Sequence, residues 1–221
     1  MRFSIKTALA LKRNYEHNKN MKAENPSHNS LKTELSQRLS ALPLQQAIFP
    51  QSEPEIDNLI RKLEEINPNP RPLNFENQAL LSGHWQLTYA SNGTVVTRKF
   101  DTIPDWTGIK IKQVYQKLNC SDSGIVTSNN AKIELPLLGE LKIQASGIWK
   151  CEEDELTALV SFDAFAFQAT KPLNLPLGLP ELKIPVIEAL RNEAVWITSY
   201  LDEEIRVGRG KTGNLFLFRR E

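Results

Sequence analysis

Histidine and cysteine are scarce in this chain of 221 residues, which contains three histidines and two cysteines. Cys120 and Cys151 lack the spacing of metal ligands, and the histidines form no cluster along the chain. We assign His17 and His28 to a tail and interpret His84 as a half-exposed strand residue. Two isolated thiols fit a reducing compartment, with a disulfide between neighbouring strands as the less favoured alternative. The sequence therefore predicts neither a metal site nor a histidine-based catalytic centre.

An excess of charge of one sign and long apolar runs are also missing. The net charge is +1, so the chain as a whole has no electrostatic attraction to nucleic acid or to anionic membranes. No apolar run approaches the ~20 residues that span a bilayer, and the apolar cluster at residues 7–11 is too short for a secretory signal. Three interpretations of the first 20 residues stay open: a tail, a short organelle-targeting segment, or a stretch upstream of a true start at Met21.

The sequence motifs of common enzymes are absent as well. There is no Gly-x-Ser-x-Gly elbow, phosphate-binding loop, His-Glu-x-x-His or Cys-x-x-Cys. The spacing of Gly208, Gly210 and Gly213 matches a dinucleotide fingerprint, but it lies between two strand-like runs rather than between a strand and a helix. We interpret these glycines as hairpin turn residues.

The densest acidic cluster, residues 202–204, lies beside a predicted strand. Paired carboxylates can act as acid and base only in a convergent geometry, which a sequence does not give. Since charge runs are usually solvated, we favour a turn that is ion-paired with Arg206, Arg209 and Lys211. We therefore predict that the protein is not an enzyme and has no catalytic residues, cofactor or metal.

The N-terminal part of the chain is predicted to consist of a polar tail followed by a pair of helices. Residues 1–29 are rich in Asn, Lys, His and Ser, and we expect them to be disordered. Residues 30–72 are predicted to form two helices and a proline-rich linker, with Ser30 and Ser52 as N-caps. Apolar residues recur at helical spacing: Leu31, Leu35, Leu39 and Leu42 in the first helix, and Ile56, Leu59, Ile60, Leu63 and Ile66 in the second. Prolines follow each helix and end it.

From Leu80 onwards the apolar period changes from 3.6 to 2, which indicates β-structure over residues 73–221. Trp85, Leu87 and Tyr89 alternate with polar residues in the first strand. The other strand candidates are residues 94–100, 109–117, 125–135, 140–150, 155–169, 194–201, 205–208 and 214–219. Eight or nine short strands separated by turn-forming residues predict an antiparallel barrel or sandwich.

Residues 171–186 interrupt this pattern, because four prolines separate six Leu or Ile residues. Proline excludes a helix interior or a central strand, so we assign the segment to an irregular apolar connection. We predict that its leucines cover the mouth of the barrel as a lid or contact a membrane or lipid surface. These leucines are Leu173, Leu175, Leu177, Leu179 and Leu182.

Apolar and aromatic side chains dominate the strand candidates, and two interpretations of them are equally favoured. They fill the barrel core, or they line a cavity for one small apolar ligand. The candidate interior residues are Trp85, Leu87, Tyr89, Phe162, Phe165, Trp196 and Phe216. The Gly83-x-Trp85 opening and the arginines of the final strand predict that Trp85 closes one end of the barrel near Arg219 or Arg220.

Four stretches of the chain resemble the plastid lipid-associated protein family, also called fibrillins or plastoglobulins. They are IRKLEEINPNP at residues 60–70, LSGHWQLTY at 81–89, TSYLDEEIRVGRG at 198–210 and GNLFLF at 213–218. The third stretch is the specific one. Together, in this order and spacing, they bracket nearly everything from residue 30 to 221.

The resemblance implies a mainly β fold, a lipocalin-like antiparallel β-barrel preceded by helices. It implies peripheral association with thylakoid membranes or with lipid globules (plastoglobules), and roles in lipid or prenylquinone handling, photoprotection and stress. The family has no established catalytic set to transfer. Its motif residues fall on positions that we expect to be structural: Gly83, Trp85, Tyr200, Asp202, Arg206, Arg209, Gly210 and Asn214.

Plant members of the family have long Ser-rich transit peptides, whereas this chain has at most a short one, which favours a cyanobacterial member. The expected function is non-enzymatic binding of a hydrophobic ligand (a prenylquinone, a carotenoid or an acyl lipid) in the barrel, with a role in thylakoid maintenance. The alternative is a structural coat protein, in which the barrel is filled and residues 171–186 dock on a lipid surface.

Overall fold

The structure is a computed structural model. It describes residues 27–48, 53–92, 108–121, 124–136, 139–170, 179–185 and 193–221. Helices precede the sheet, and they are α1 (His28–Ser40), α2 (Leu44–Ile48), α3 (Pro54–Glu65), a 3-10 turn (Phe75–Asn77) and α4 (Gln78–Leu81). The strands are β1 (Gly83–Ala90), β2 (Lys110–Ser121), β3 (Gly124–Leu135), β4 (Gly139–Cys151), β5 (Thr157–Ala169), β6 (Leu182–Pro185), β7 (Ala194–Leu201), β8 (Ile205–Gly210) and β9 (Leu215–Arg220).

The first helix begins earlier than the sequence predicts. Ser27 is its N-cap, and its side-chain oxygen accepts a hydrogen bond from the backbone N–H of Ser30 at 3.3 Å. The predicted tail boundary at residue 29 and the predicted cap at Ser30 are therefore wrong. In α3 the N-cap is Glu53, without a side-chain cap bond, and the predicted cap Ser52 lies outside the described residues. The five-residue helix α2 was not predicted, because it is too short to show a helical period.

The nine strands of the described residues form one antiparallel sheet whose pairings close into a ring. The circuit runs β1–β2–β3–β4–β5–β7–β8–β9 and returns to β1. β4 pairs along one edge of β5, while residues 157–160 of β5 pair with β7 on the other edge. Farther along, residues 164–167 of β5 pair with β6 instead. The chain is thus mainly β with N-terminal helices, as its alternating pattern predicts, and the predicted strand at residues 94–100 lies outside the described residues.

Two apolar clusters lie on opposite faces of this ring. The inner cluster includes Trp85, Leu87, Leu118, Trp149 and Phe218. The outer cluster packs the helices against the outside of β1, β7, β8 and β9. Its members include Leu35, Ile60, Leu63, Tyr89, Tyr200, Val207 and Leu217. Because both faces of these strands are buried, an inward side chain cannot reach water through the helical layer.

Glu64 of α3 fixes the helices to the outer face of the sheet. Arg209 Nε donates to its Oε1 at 2.8 Å, and Ser199 Oγ donates to the same oxygen at 2.5 Å. The linker after α3 is held as well, because the side-chain amides of Asn67 and Asn69 donate to the carbonyls of Ser199 and Leu201 at 3.0 and 2.8 Å. Polar side chains therefore align the helical layer with β7 and β8.

Replacing Glu64 by alanine is expected to lower the free energy of unfolding by about 1–3 kcal/mol, because Arg209 and Ser199 both lose their acceptor. Equilibrium urea unfolding measures this change. Glu65→Ala is the matched control, since Glu65 is exposed on the same helix and its removal should leave the midpoint nearly unchanged. Equal effects of the two changes would contradict the anchoring role of Glu64.

Two predictions about the segments that connect strands can be compared with the structure. Gly208 and Gly210 lie in β8, and Gly213, with φ of 81°, lies in the turn to β9, which confirms the hairpin and excludes a dinucleotide loop there. The assignment of all of 171–186 to an irregular connection is wrong for residues 182–185, which form β6. β6 tolerates Pro185 because it pairs with β5 alone within the described part of the chain.

Candidate functional site inside the ring

Arg206 lies inside the ring and has no solvent exposure. Its neighbours Ile205 and Val207 point outwards into the helix-covered cluster, so strand alternation directs Arg206 inwards. Its guanidinium carbon lies 4.4 Å from the centroid of Phe218, 5.3 Å from that of Trp85 and 5.7 Å from that of Trp149. A fully buried cation is thus surrounded by three aromatic rings, whose faces attract positive charge.

The hydrogen bonds of Arg206 are incomplete. Nη2 donates to Oε1 of Gln116, whose Nε2 donates in turn to Oδ1 of Asn129 at 2.6 Å. Nε and Nη1 have no partner, and among the described residues no carboxylate pairs with Arg206. Burial and, to a lesser extent, the charge of Arg220 lower the pKa of Arg206 to about 9, which leaves it protonated at neutral pH. The acidic group that interacts with Arg206 is the Cys120 thiol, whose pKa is raised by burial, so the ring interior contains one positive charge that no described carboxylate compensates.

Other polar atoms inside the ring are also buried without a hydrogen-bond partner. They are Oγ1 of Thr127, Nε1 of Trp149, Nε1 of Trp196 and Oγ1 of Thr198. The indole nitrogens of the two tryptophans can only donate, and the ring centroids of these residues are 5.9 Å apart. Buried polar groups in folded proteins nearly always find partners, so this concentration marks an unusual site.

One end of the ring is closed by Trp85 and Arg220. The guanidinium of Arg220 lies 4.2 Å from the Trp85 ring centroid, which confirms the predicted contact at this end. Trp85 Nε1 donates to the carbonyl of Leu81 at 2.9 Å, and Arg220 donates to the carbonyls of Ser82 and Leu80. Gly83 is required beneath this stack, because a Cβ there would lie 2.6 Å from Nη1 of Arg220.

Away from this closed end, inward-facing apolar side chains stay partly exposed. Val114, Phe162, Trp196 and Phe216 pack against the inner cluster but are only half-buried, whereas Trp85 and Trp149 are fully buried. The indole of Trp196 lies over Gly208, where a Cβ would be 1.9 Å from its Cζ2 atom. The interior therefore changes from a sealed aromatic end to a more accessible apolar end.

The structure places most of the predicted interior residues on the inner face. Trp85 and Leu87 belong to the inner cluster, and Phe162, Trp196 and Phe216 pack against it. The prediction for Tyr89 is wrong: it lies in the outer cluster, where its hydroxyl donates to Asp57 at 2.6 Å. A register shift between Leu87 and Tyr89 in the β1–β9 pairing reverses the alternation.

Phe165 is 39% exposed and belongs to an apolar patch along β5 and β6. Phe165 is the register partner of Ile184 in the β5–β6 pairing. The other members of the patch are Leu179 and Leu182, whose exposed fractions are 50% and 61%. Leu179 and Leu182 are two of the five predicted lid residues. The other three, Leu173, Leu175 and Leu177, lie outside the described residues.

The acidic turn is not paired with the arginines that follow it, so the predicted turn network is wrong. Asp202 accepts hydrogen bonds from the Tyr200 hydroxyl at 2.7 Å and from the Lys32 ammonium at 3.0 Å. Its other oxygen accepts from the backbone N–H groups of Glu204 and Ile205 at 2.8 and 2.7 Å. The helical layer supplies the partner that was expected from the hairpin, because α1 lies over this turn.

The family-motif residues at the two ends of β8 have structural contacts. Besides its bond to Asp202, Tyr200 contacts the His28 imidazole, stacked at 5.7 Å between centroids. His28 is therefore part of the packed structure and not of a tail. Gly210 accepts the turn N–H of Gly213 at 2.8 Å, and Asn214 accepts at 3.1 Å from the side chain of Asn92.

A second concave region lies outside the ring. It is a pocket of about 510 Å³ between α1, α2 and the outer edge of β8 and β9. Leu35, Leu39 and Leu42 line it from the helical side, and Lys32 and Arg219 lie among its polar residues. Among the described residues that line this pocket, no buried polar atom lacks a partner, which distinguishes it from the ring interior.

The inward position of Arg206 is the main feature that sequence reasoning missed. The signal is present in Ile205-Arg206-Val207, where one charge alternates with two apolar residues.

Within the described ranges, no helix has the length and apolarity to cross a membrane. Among the same residues, no three His, Cys, Asp or Glu side chains are grouped to hold a metal ion, and both cysteines are free thiols.

Comparison with known proteins gives one family and several distant relatives. Residues 29–219 match the family model described as PAP_fibrillin. A probable plastid-lipid-associated protein 5, chloroplastic, of Arabidopsis thaliana is 24% identical over 86% of this chain and 68% of its own length. A light-induced protein, chloroplastic, of Solanum demissum and a chromoplast-specific carotenoid-associated protein C1 of an Oncidium hybrid are each 26% identical over 76% of this chain. The chain spans 60% and 61% of these two relatives, and no solved structure matches.

Proposed function

The chain belongs to the PAP_fibrillin family, and from that premise we propose that it is a non-enzymatic lipid-binding protein whose ring interior holds one hydrophobic molecule. The observation that supports this proposal is the accessible apolar end of the ring, where Phe162, Trp196 and Phe216 face inwards and stay half-buried. A core that packs to native density leaves no such exposure on inward aromatic residues. Eight strands can enclose one small ligand, and in this proposal the ring is a lipocalin-like barrel open at one end.

The names of the relatives support a lipid or pigment as the ligand class. One relative is named as plastid-lipid-associated and another as carotenoid-associated. By extension, the protein associates peripherally with thylakoid membranes or lipid globules and contributes to photoprotection. A prenylquinone, a carotenoid and an acyl lipid are all apolar enough for the interior that the structure presents.

Native mass spectrometry of the full-length protein tests this proposal. We expect one lipid-sized adduct at a fixed 1:1 ratio, and organic extraction should recover the same molecule. A ligand-free protein that binds only liposomes would contradict the carrier and favour the coat alternative. The exposed patch around Phe165, Leu182 and Ile184 is the observation that favours that alternative.

A pair of glycine variants tests whether the binding site is inside the ring. Gly208→Ala is expected to weaken binding of an apolar fluorescent probe severalfold, because its Cβ would displace the Trp196 indole from β8. Gly210→Ala is the matched control on the same strand, since its Cβ would lie at an ordinary 3.7 Å from Phe216. Equal probe titrations of the two variants and the wild type would place the ligand elsewhere, with the pocket beneath α1 as the next site to examine.

A further inference from the structure

We infer that the ring selects an anionic single-chain lipid, a long-chain fatty acid, whose carboxylate binds Arg206 while its chain extends towards the accessible apolar end. This inference rests on the proposed function and narrows its ligand class. It concerns the guanidinium at the aromatic end of the interior rather than the apolar lining.

The first argument is the uncompensated charge. Arg206 is fully buried, and within the described part of the chain its hydrogen-bond partner is the neutral side chain of Gln116. A buried cation is costly unless an opposite charge and hydrogen bonds accompany it. Three aromatic rings reduce that cost but do not accept the N–H bonds of Nε and Nη1. A bound carboxylate would supply both the charge and the acceptors.

The second argument is the chemical type of the other polar atoms without partners. Of six such buried atoms, four belong to groups that only donate: Nε and Nη1 of Arg206 and the indole nitrogens of Trp149 and Trp196. The remaining two are hydroxyls, which can also donate. The occupant therefore has to bring acceptors. A carotenoid hydrocarbon brings none, and a quinone brings neutral carbonyl oxygens, whereas a carboxylate brings acceptors and a negative charge.

The third argument is the amount of charge and space. Two cations contact Trp85 at the aromatic end, and Arg220 is already occupied by backbone carbonyls and the Trp85 ring, so Arg206 is the described inward-facing cation that is left without an anion. One cation balances a monoanion, and an eight-stranded ring that is not filled by its own side chains holds one small ligand at most. These limits favour one carboxylate on one acyl chain over a doubly charged phosphate on a two-chain lipid.

The competing interpretation is that Arg206 is purely structural, held by its aromatic neighbours and Gln116. Wild-type protein alone separates the two interpretations. Delipidated full-length protein is titrated with oleate, methyl oleate and oleyl alcohol by calorimetry or by quenching of tryptophan fluorescence. Because the ester and the alcohol keep the chain and lose the charge, we expect oleate to bind at least about tenfold more tightly than either, the effect of one charge-assisted hydrogen bond.

Variants then assign the preference to Arg206. Arg206→Met keeps an apolar shape in the aromatic cage and should abolish the preference for oleate while leaving methyl oleate binding close to wild type. Arg206→Lys should retain part of the preference. Arg209→Met is the matched control, because Arg209 lies on the same strand, faces outwards and pairs with Glu64. It should keep the full preference for the acid.

Each outcome has one meaning. Equal binding of oleate and methyl oleate by the wild type would overturn the inference and leave the proposed function intact. A preference for oleate that persists in a folded Arg206→Met would also overturn it. Failure of the oleate, ester, alcohol and a short-chain plastoquinone analogue to bind would contradict the proposed function itself. If Arg206→Met does not fold, the wild-type comparison of acid and ester still decides.

Discussion

Replacing Trp85 by alanine is expected to lower the free energy of unfolding by about 3–5 kcal/mol, the range for a fully buried large aromatic residue. Trp85 has no exposed surface, and its Nε1 donates to the carbonyl of Leu81 at 2.9 Å. The guanidinium groups of Arg206 and Arg220 lie 5.3 and 4.2 Å from the centroid of its ring. Truncation would leave a cavity at the closed end and remove an aromatic contact from two cations at once.

Chemical unfolding monitored by circular dichroism measures this change, with Phe75→Ala as the control. Phe75 is 74% exposed, so its removal should alter stability by less than about 0.5 kcal/mol. A double-mutant cycle of Trp85→Leu with Arg220→Met isolates the cation–π term, expected at about 0.5–2 kcal/mol. A Trp85→Ala protein that unfolds at the wild-type midpoint would exclude its role in closing the ring.

The strands could be predicted because their signals are local. Period-2 alternation and turn-forming residues set the limits of β7 within the predicted residues 194–201 without any knowledge of the fold. The contact between Trp85 and Arg220 was also predictable, since Gly83-x-Trp85 opens the first strand of the sheet and arginines end its last strand. The closing of the ring through β5 was not, because pairing with β4, β6 and β7 depends on contacts between distant segments.

The misassignments have two physical causes. A register shift after Leu87 turns Tyr89 to the outer face, and a bulge of this kind leaves no mark in an alternating sequence. Arg206 lies in a predicted strand but was expected to pair with the solvated acidic turn, since alternation shows only that it faces opposite to Ile205 and Val207. Which of the two faces is inside depends on the helices, and these cover the outer face with α1 and α3. A charged residue on a strand that is buried on both sides was therefore placed in water.

Replacing Asp202 by alanine is expected to cost about 3–5 kcal/mol, comparable to Trp85→Ala, because one buried carboxylate has four hydrogen-bonding partners. The Tyr200 hydroxyl and two backbone N–H groups of the β7–β8 turn would lose their acceptor inside the fold. Lys32 of α1 would lose one of its two links to the sheet edge, the one at 3.0 Å, and keep its ion pair with Glu204. Asp202→Asn keeps the shape and should cost less, since its amide still accepts at one oxygen.

The same site predicts a dependence of stability on pH. Burial opposes ionisation of Asp202, but the hydrogen bonds from Tyr200, Ile205, Glu204 and Lys32 outweigh it and hold the pKa below the ordinary value. A lowered folded-state pKa means that the carboxylate stabilises the fold above its unfolded pKa, about 3.9, and that this contribution is lost as the pH falls through the folded value.

Melting temperatures of the wild type and of Asp202→Asn, measured from pH 7 down to about pH 3, test this dependence. The difference between the two proteins should be largest at neutral pH and should shrink below about pH 5, because protonation removes the charge that the variant already lacks. Asp163→Asn, on the exposed side of β5, should follow the wild type throughout. A constant difference between wild type and Asp202→Asn across this range would show that the fold does not depend on the ionised carboxylate, and that packing at the β7–β8 turn holds α1 against the sheet.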